Sequence, residues 1–159
     1  STIQKICDLL NIFTAIFNVE CRQSLDGQIY LMELSPRAGG NRLAEMIRDA
    51  MGSDIIKAEI QKAIGWSNIH ISPPMCNGCY ATYVLHTSKG GKFGGVKISD
   101  DFYIHHVMSE TYYINHGDIV GTFQGANNAI GTLFLRFDDR TQLDKMFNNI
   151  NKFVNIIIN

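Results

Sequence analysis

Apolar and polar positions along this chain change period several times, and each change marks an element. Ile3, Ile6, Cys7, Leu9 and Leu10 recur at helical spacing and predict a short amphipathic helix over 3–10. A strand is expected over 15–22 and a second over 28–34, joined at Asp26-Gly27, a pair suited to a two-residue type I′ turn. Ser35-Pro36 breaks the second strand, and Ala38-Gly39-Gly40 reads as a loop. Asn41 is placed to cap a helix running to Met51, with Gly52 at its C′ position. Ser53 is placed to cap the next helix, over 54–64, which Gly65 ends in the same way.

Pro73-Pro74 reads as a linker and a subdomain border. Beyond it the pattern turns to strands, over 80–87, 94–98, 102–109 and 132–137, followed by a helix capped by Thr141 and running to 156. Strands and helices come in blocks without regular βαβ alternation, which predicts an α+β fold: antiparallel sheet with packed helices. The expected units are 1–75 and a smaller, β-rich C-terminal subdomain over 76–159 that ends in a helix.

Composition narrows the classes. The 159 residues are 45% hydrophobic and 18% charged, enough for an ordinary core, and the net charge of −1 with interspersed signs offers no nucleic-acid or membrane surface. No apolar run approaches the ~20 residues of a membrane-spanning helix, and the start lacks a signal-peptide pattern, so a cytoplasmic protein is expected. The chain opens at Ser1 in what reads as mid-helix, as a piece of a longer protein would. Cys7, Cys21, Cys76 and Cys79 are too few and too irregular for a secreted disulfide framework. Cys76-Asn77-Gly78-Cys79 has the spacing of half a zinc site or of a redox pair, but without a second CxxC reduced thiols are the better reading.

The candidate chemistry lies in the first hairpin. With a two-residue turn, Leu25 pairs with Gln28, Arg22 with Leu31, and Glu20 stands opposite Glu33; a three-residue loop would break that pairing. Like charges at Cβ separations of ~4.5–5.5 Å repel, so a compensating cation is expected. Alternation puts Ile29, Leu31 and Glu33 on one face, where an ionised carboxylate calls for a partner or a metal. Two carboxylates and the Ser35 hydroxyl suit Mg²⁺, which is usually held by one or two carboxylates together with phosphates and waters. Arg37 follows on a loop placed to meet an anion. Equally, Glu20 pairing with Arg22 or a lysine, and Glu33 capping the Gly39-Gly40 loop, would be plain structural roles; on spacing alone the two readings stand level.

The run FNVECRQSLDGQIYLMELSPRAGGNRLAEMIRDAMG resembles the C-terminal catalytic lobe of ATP-grasp ligases, with a match extending over about 12–65. That family joins a glutamate strand, a turn and a strand ending Glu-x-Asn-x-Arg into a Mg–ATP site. The resemblance implies that Glu20 and Glu33 are the Mg²⁺ carboxylates, Glu33 bridging two ions, and that Arg37 meets the carboxylate or acyl phosphate. Ser35 stands where asparagine is commonest, as in the Ser-Pro-Arg of the purine-biosynthesis branch. ATP with Mg²⁺, or with Mn²⁺ in its place, is the implied cofactor, and small-molecule carboxylate and amine substrates are the implied partners. A homo-oligomer is compatible with this reading. The family's adenine-contacting lobe is expected upstream of Ser1, so these residues alone are expected to be inactive. The rival reading is a non-catalytic α+β binding or assembly module derived from the same lobe.

The second half resembles the family only weakly, being nearest the C-terminal subdomain of amino-acid and dipeptide ligases. Lys89 to Gly95, KGGKFGG, reads as a glycine-rich hairpin in preference to a phosphate cradle. His105-His106 on a strand would point to opposite sides and share no metal. His70, His86 and His116 read as surface or hydrogen-bonded residues. Phe102, Tyr103, Tyr112, Tyr113 and Phe123 read as sheet core.

Overall fold

The structure is a computed structural model that describes residues 2–159; Ser1, on which the mid-helix start was read, lies outside them. The architecture is α+β with antiparallel sheets, and the chain divides into two compact units, one ending at Pro74 and the other running Met75–Asn159. The second is therefore the longer unit and not the smaller.

In the first unit, helix α1 (Thr2–Leu9) precedes a two-stranded sheet of β1 (Asn18–Gln23) and β2 (Ile29–Ser35), then helices α2 (Leu43–Met51) and α3 (Ile55–Ala63). Strand β1 starts at Asn18, three residues later than expected. The glycine stops are in place: Gly52 has φ 72° and donates to the Arg48 carbonyl at 2.8 Å, and Gly65 has φ 82°. The N-termini differ. Arg42, in left-handed conformation, precedes α2 without a side-chain cap, and Asn41 does not cap it. Asp54 caps α3 by accepting from the Lys57 amide at 2.8 Å, because Ser53 is buried and its hydroxyl donates to the Ser72 carbonyl at 2.8 Å. The buried apolar residues among those described in this unit are small, namely Cys7, Ala44, Ala50 and Ala58, while Phe13 and Ile29 stay exposed.

The second unit holds the large core. Strands β3 (Cys79–Leu85), β7 (Gly131–Phe137) and β5 (Val107–Tyr112) form one sheet in the order β3-β7-β5. Strands β6 (Ile119–Val120), β4 (Gly91–Ile98) and β8 (Val154–Ile158) form the other, in the order β6-β4-β8. Central β7 is buried at every position except Arg136, as a strand covered on both faces should be. Leu85, Phe93, Phe102, Ile130, Leu133, Leu135 and Phe137 pack into one cluster, with Phe102 stacked on Phe153 at a centroid distance of 5.1 Å.

Three expectations fail here for identifiable reasons. The strand expected over 102–109 is split into helix α4 (Asp100–His106) and then β5. Asp100 and Asp101 occupy the first helical turn and His105 and His106 the last, an order that complements the helix dipole and outweighs the β-propensity of the aromatics. The last helix, α5 (Arg140–Phe147), is capped by Asp139 and not Thr141, and it stops at the Asn148-Asn149 pair, both poor helix formers. The β-branched run beyond it pairs with β4 as β8, so the unit ends in a strand and not a helix. The glycine-rich stretch does not close a β3–β4 hairpin, since those strands lie in different sheets. The amides of Lys92 and Phe93 bond the Asn159 and Asp118 carbonyls, so they are not a phosphate cradle either.

Candidate functional site

The hairpin turn is a residue longer than expected. The Ser24 amide bonds the Gln28 carbonyl and the Gly27 amide bonds the Ser24 carbonyl, each at 2.9 Å. Leu25, Asp26 and Gly27 therefore form a three-residue loop, with Gly27 at φ 85° in the left-handed position such loops reserve for glycine. Asp26 accepts from the Ser24 hydroxyl and from the Gln28 amide, and the Ser24 bond holds its carboxyl below the usual carboxylate range. From this loop the ladder pairs Gln23 with Ile29, Arg22 with Tyr30 and Cys21 with Leu31.

A uniform ladder of that register would set Glu20 against Met32. Instead a β-bulge leaves Met32 unmatched and restores Glu20 opposite Glu33, Val19 opposite Leu34 and Asn18 opposite Ser35. Residues directly opposite share a face, and neighbours along β1 alternate. One face therefore carries Val19, Cys21 and Gln23 with Leu34, Leu31 and Ile29. The other carries Asn18, Glu20 and Arg22 with Ser35, Glu33 and Tyr30. The bulge thus sorts an apolar face from a polar one, and it moves Glu33 off the face of Ile29 and Leu31, where uniform alternation placed it.

Glu20, Glu33 and Ser35 meet on the polar face. Both glutamates are exposed, and among the described residues neither forms an ion pair, Arg22 included. The Ser35 hydroxyl donates to Glu33 Oε1, which fixes that carboxylate beside the end of the strand. Arg37 follows immediately; its amide bonds the Ser35 carbonyl at 2.8 Å, and its exposed guanidinium donates Nη1 to the Ala38 carbonyl at 2.9 Å. Gly39 lies close over Asn18, since a Cβ there would stand 3.1 Å from Asn18 Oδ1 and 2.6 Å from the Leu43 side chain. The loop after Ser35 consequently folds back toward the polar face. Arg22 was considered from the sequence only as an ion-pair partner for Glu20, and Asn18 was not singled out; both share the face of Glu20 by alternation along β1.

The donor set is all oxygen: two carboxylates and a hydroxyl on an open face. That fits a hard, hydrated divalent cation, whose remaining positions go to water and phosphate. No group of three His, Cys, Asp or Glu capable of holding a metal exists among the described residues, so a cation here would need such additional ligands. A second polar region, a cavity of about 540 Å³ in the longer unit, is lined by Asp101, His105, His106, Arg136, Asp138, Gln142 and Met146. Its polar groups serve the scaffold: His105 Nδ1 donates to the Asp101 carbonyl at 2.8 Å and His106 Nδ1 to the Arg136 carbonyl at 3.0 Å. His106 also stacks on Phe137 at 4.8 Å.

No family model matches the chain, and no curated protein matches it significantly in sequence. Solved structures do match. Phosphoribosylglycinamide synthetase from Anaerococcus prevotii aligns over 99% of this chain at 21% identity and TM-score 0.73. L-amino acid ligase from Bacillus licheniformis aligns over 99% at 14% identity and TM-score 0.78. The fold is that of ATP-grasp ligases. A third match is the biotin carboxylase domain of the Hydrogenobacter thermophilus 2-oxoglutarate carboxylase, a dimer solved with MgADP, ADP and bicarbonate; it aligns over 98% at 14% identity and TM-score 0.69. This chain spans 40%, 40% and 34% of those three chains respectively. Among the described residues no helix is long and apolar enough to cross a membrane.

Proposed function

We propose that this chain is the catalytic lobe segment of a cytoplasmic ATP-grasp ligase, in which Glu20 and Glu33, aided by Ser35, hold Mg²⁺ with the nucleotide phosphates. The observation that carries the reading is the facing pair itself: two carboxylates directly opposed on a polar face with no side-chain cation between them. Bound Mg²⁺ supplies neutralisation of phosphate charge during phosphoryl transfer. The Ser35 hydroxyl holds the Glu33 carboxylate in one orientation, so that its other lone pairs face outward. Arg37 uses one guanidinium nitrogen on the Ala38 carbonyl and keeps donors for a substrate carboxylate or acyl phosphate.

The whole protein would then phosphorylate a small-molecule carboxylate and pass the acyl group to an amine or similar nucleophile. The half-covered apolar face of the hairpin, with Val19, Leu31 and Leu34, supports packing against further chain of the same enzyme, which would bring the adenine-contacting lobe. Alone, residues 1–159 would bind nucleotide poorly and form no ADP.

Equilibrium titration of the intact protein with Mn²⁺–ATP, read by the Mn²⁺ resonance signal, tests the site. Glu20→Gln and Glu33→Gln should each weaken binding at least tenfold, while Arg37→Ala should keep nucleotide binding and lose carboxylate-dependent ADP release. Unchanged Mn²⁺–ATP binding in both glutamine variants would replace this reading with the inert binding module.

A further inference from the structure

The Cys76-Asn77-Gly78-Cys79 segment is left unused by the nucleotide site, and its local geometry answers a question that its spacing leaves open. Both thiols are free, with Cys76 exposed and Cys79 half-buried at the first position of β3. The chain bends at Gly78 as it enters β3. Gly78 has φ 107°, a left-handed value, and a Cβ there would lie 2.7 Å from the Phe137 carbonyl oxygen, so only glycine fits. The Tyr80 hydroxyl donates to the Asn77 carbonyl at 3.0 Å and pins the bend from the far side.

At this bend Cys76 curls back on itself. Its Sγ lies 3.4 Å from the Gly78 carbonyl oxygen, and that carbonyl belongs to the peptide that carries the Cys79 amide. The first sulfur is thereby held one peptide plane from the second cysteine, on the accessible side of the loop. Thiol–disulfide exchange needs an accessible attacking sulfur, and exposed Cys76 supplies it.

We propose that Cys76 and Cys79 are a redox-modification site that closes reversibly to an intraloop disulfide by exchange with a low-molecular-weight disulfide of the glutathione class. Exposed Cys76, as thiolate, attacks one sulfur of the small disulfide, forming a mixed disulfide and releasing one small thiolate. Cys79, deprotonated in turn, attacks the Cys76 sulfur and releases the second small thiolate. The balance is two protein thiols and one small disulfide giving one protein disulfide and two small thiols. Cys7 is buried and takes no part, and Cys21, exposed on the first hairpin, has no neighbouring thiol placed by its own turn.

The test equilibrates the full chain in glutathione buffers from fully reduced to fully oxidised, alkylates the free thiols and reads intact and peptide masses. The expected result is a pool in which Cys76 and Cys79 are both unalkylated and carry no added mass, while Cys21 is free or carries glutathione. Full reversal by excess reduced glutathione is also expected. In Cys76→Ser the remaining Cys79 should appear free or as a glutathione adduct, and Cys79→Ser should leave a glutathione adduct on Cys76. Glutathione adducts or free thiols at both positions of the unmodified chain, at every ratio, would overturn the proposal. So would protection of both thiols from alkylation by Zn²⁺ under reducing conditions with no disulfide in any oxidised buffer, which would make the pair a metal half-site.

Discussion

Glu20 stands directly opposite Glu33 because two irregularities cancel: a three-residue loop shifts the ladder by one residue, and the bulge at Met32 shifts it back. A strand pair whose register slips by one residue turns every side chain to the other face. In this hairpin the slip is confined to the three residues of each strand nearest the turn, and beyond the bulge polar residues face polar ones (Asn18 with Ser35, Glu20 with Glu33) and Val19 faces Leu34. The juxtaposition of the acids thus depends on the loop and the bulge together.

Deleting Met32 should therefore preserve the acid pair. The shortened β2 would continue the register set at the loop, with Cys21 opposite Leu31 and Glu20 opposite Glu33 without interruption. Cross-strand proton contacts by NMR should still join Glu20 to Glu33, and stability should change by about 1 kcal/mol or less, since Met32 is exposed. Contacts from Glu20 to Leu34 would instead mean that the bulge is needed to hold the outer register.

In metal-free protein the facing carboxylates should repel. Glu33→Gln is expected to raise stability by roughly 0.2–1 kcal/mol at low ionic strength, and the gain should shrink at 1 M salt as screening shortens to about 3 Å. Urea denaturation of both proteins at two salt concentrations measures it. A destabilised variant would show that the Ser35 hydroxyl bond to the ionised Glu33 outweighs the repulsion.

A pH effect of definite sign follows from Arg42 and Glu45. Arg42 Nε donates to Glu45 Oε1 at 2.8 Å and a second guanidinium nitrogen bonds Oε2, and this hydrogen bonding holds the Glu45 carboxyl below its ordinary value of 4.5. A carboxyl lowered in the folded state contributes stability above the unfolded value and loses it as pH falls through the folded one. Glu45→Gln should cost about 0.2–1 kcal/mol at pH 7, and the gap from the parent protein should close as pH drops below the ordinary glutamate range. A gap unchanged down to strongly acid pH would assign the loss to packing and not to charge.

Local signals in the sequence carried much of the fold. Gly52 and Gly65 end their helices as their types dictate, and the hairpin is announced by Asp26-Gly27 between two strand-like runs. What the sequence concealed was decided at a distance or by competing local chemistry. Val154–Ile158 has the β-branched content of a strand, yet only its pairing with β4 settles it as one and not as the tail of α5. The α4 region set aromatic β-propensity against helix-terminal charges, and the charges prevailed. At the site, Glu20 and Glu33 were legible as a pair, but the route to their pairing was not, because an unmatched Met32 has no marker in one sequence.

Gly131 carries the sharpest steric constraint in the longer unit. It opens β7 between Leu85 of β3 and Tyr112 of β5, and a Cβ there would lie 2.2 Å from the Thr111 carbonyl oxygen and 3.1 Å from the Tyr112 Cα. Both obstacles are backbone, so no rotamer change relieves them; β5 must move away from the central strand and weaken its ladder. Gly131→Ala should cost about 1–3 kcal/mol or more, read as a lowered urea midpoint. Gly40→Ala is the matched control, because nothing lies within 4 Å of its Cβ position and the change should be nearly neutral. Equal midpoints for the two variants would mean that β5 yields freely at its Tyr112 end and that the sheet order β3-β7-β5 is held by the Val107 end alone.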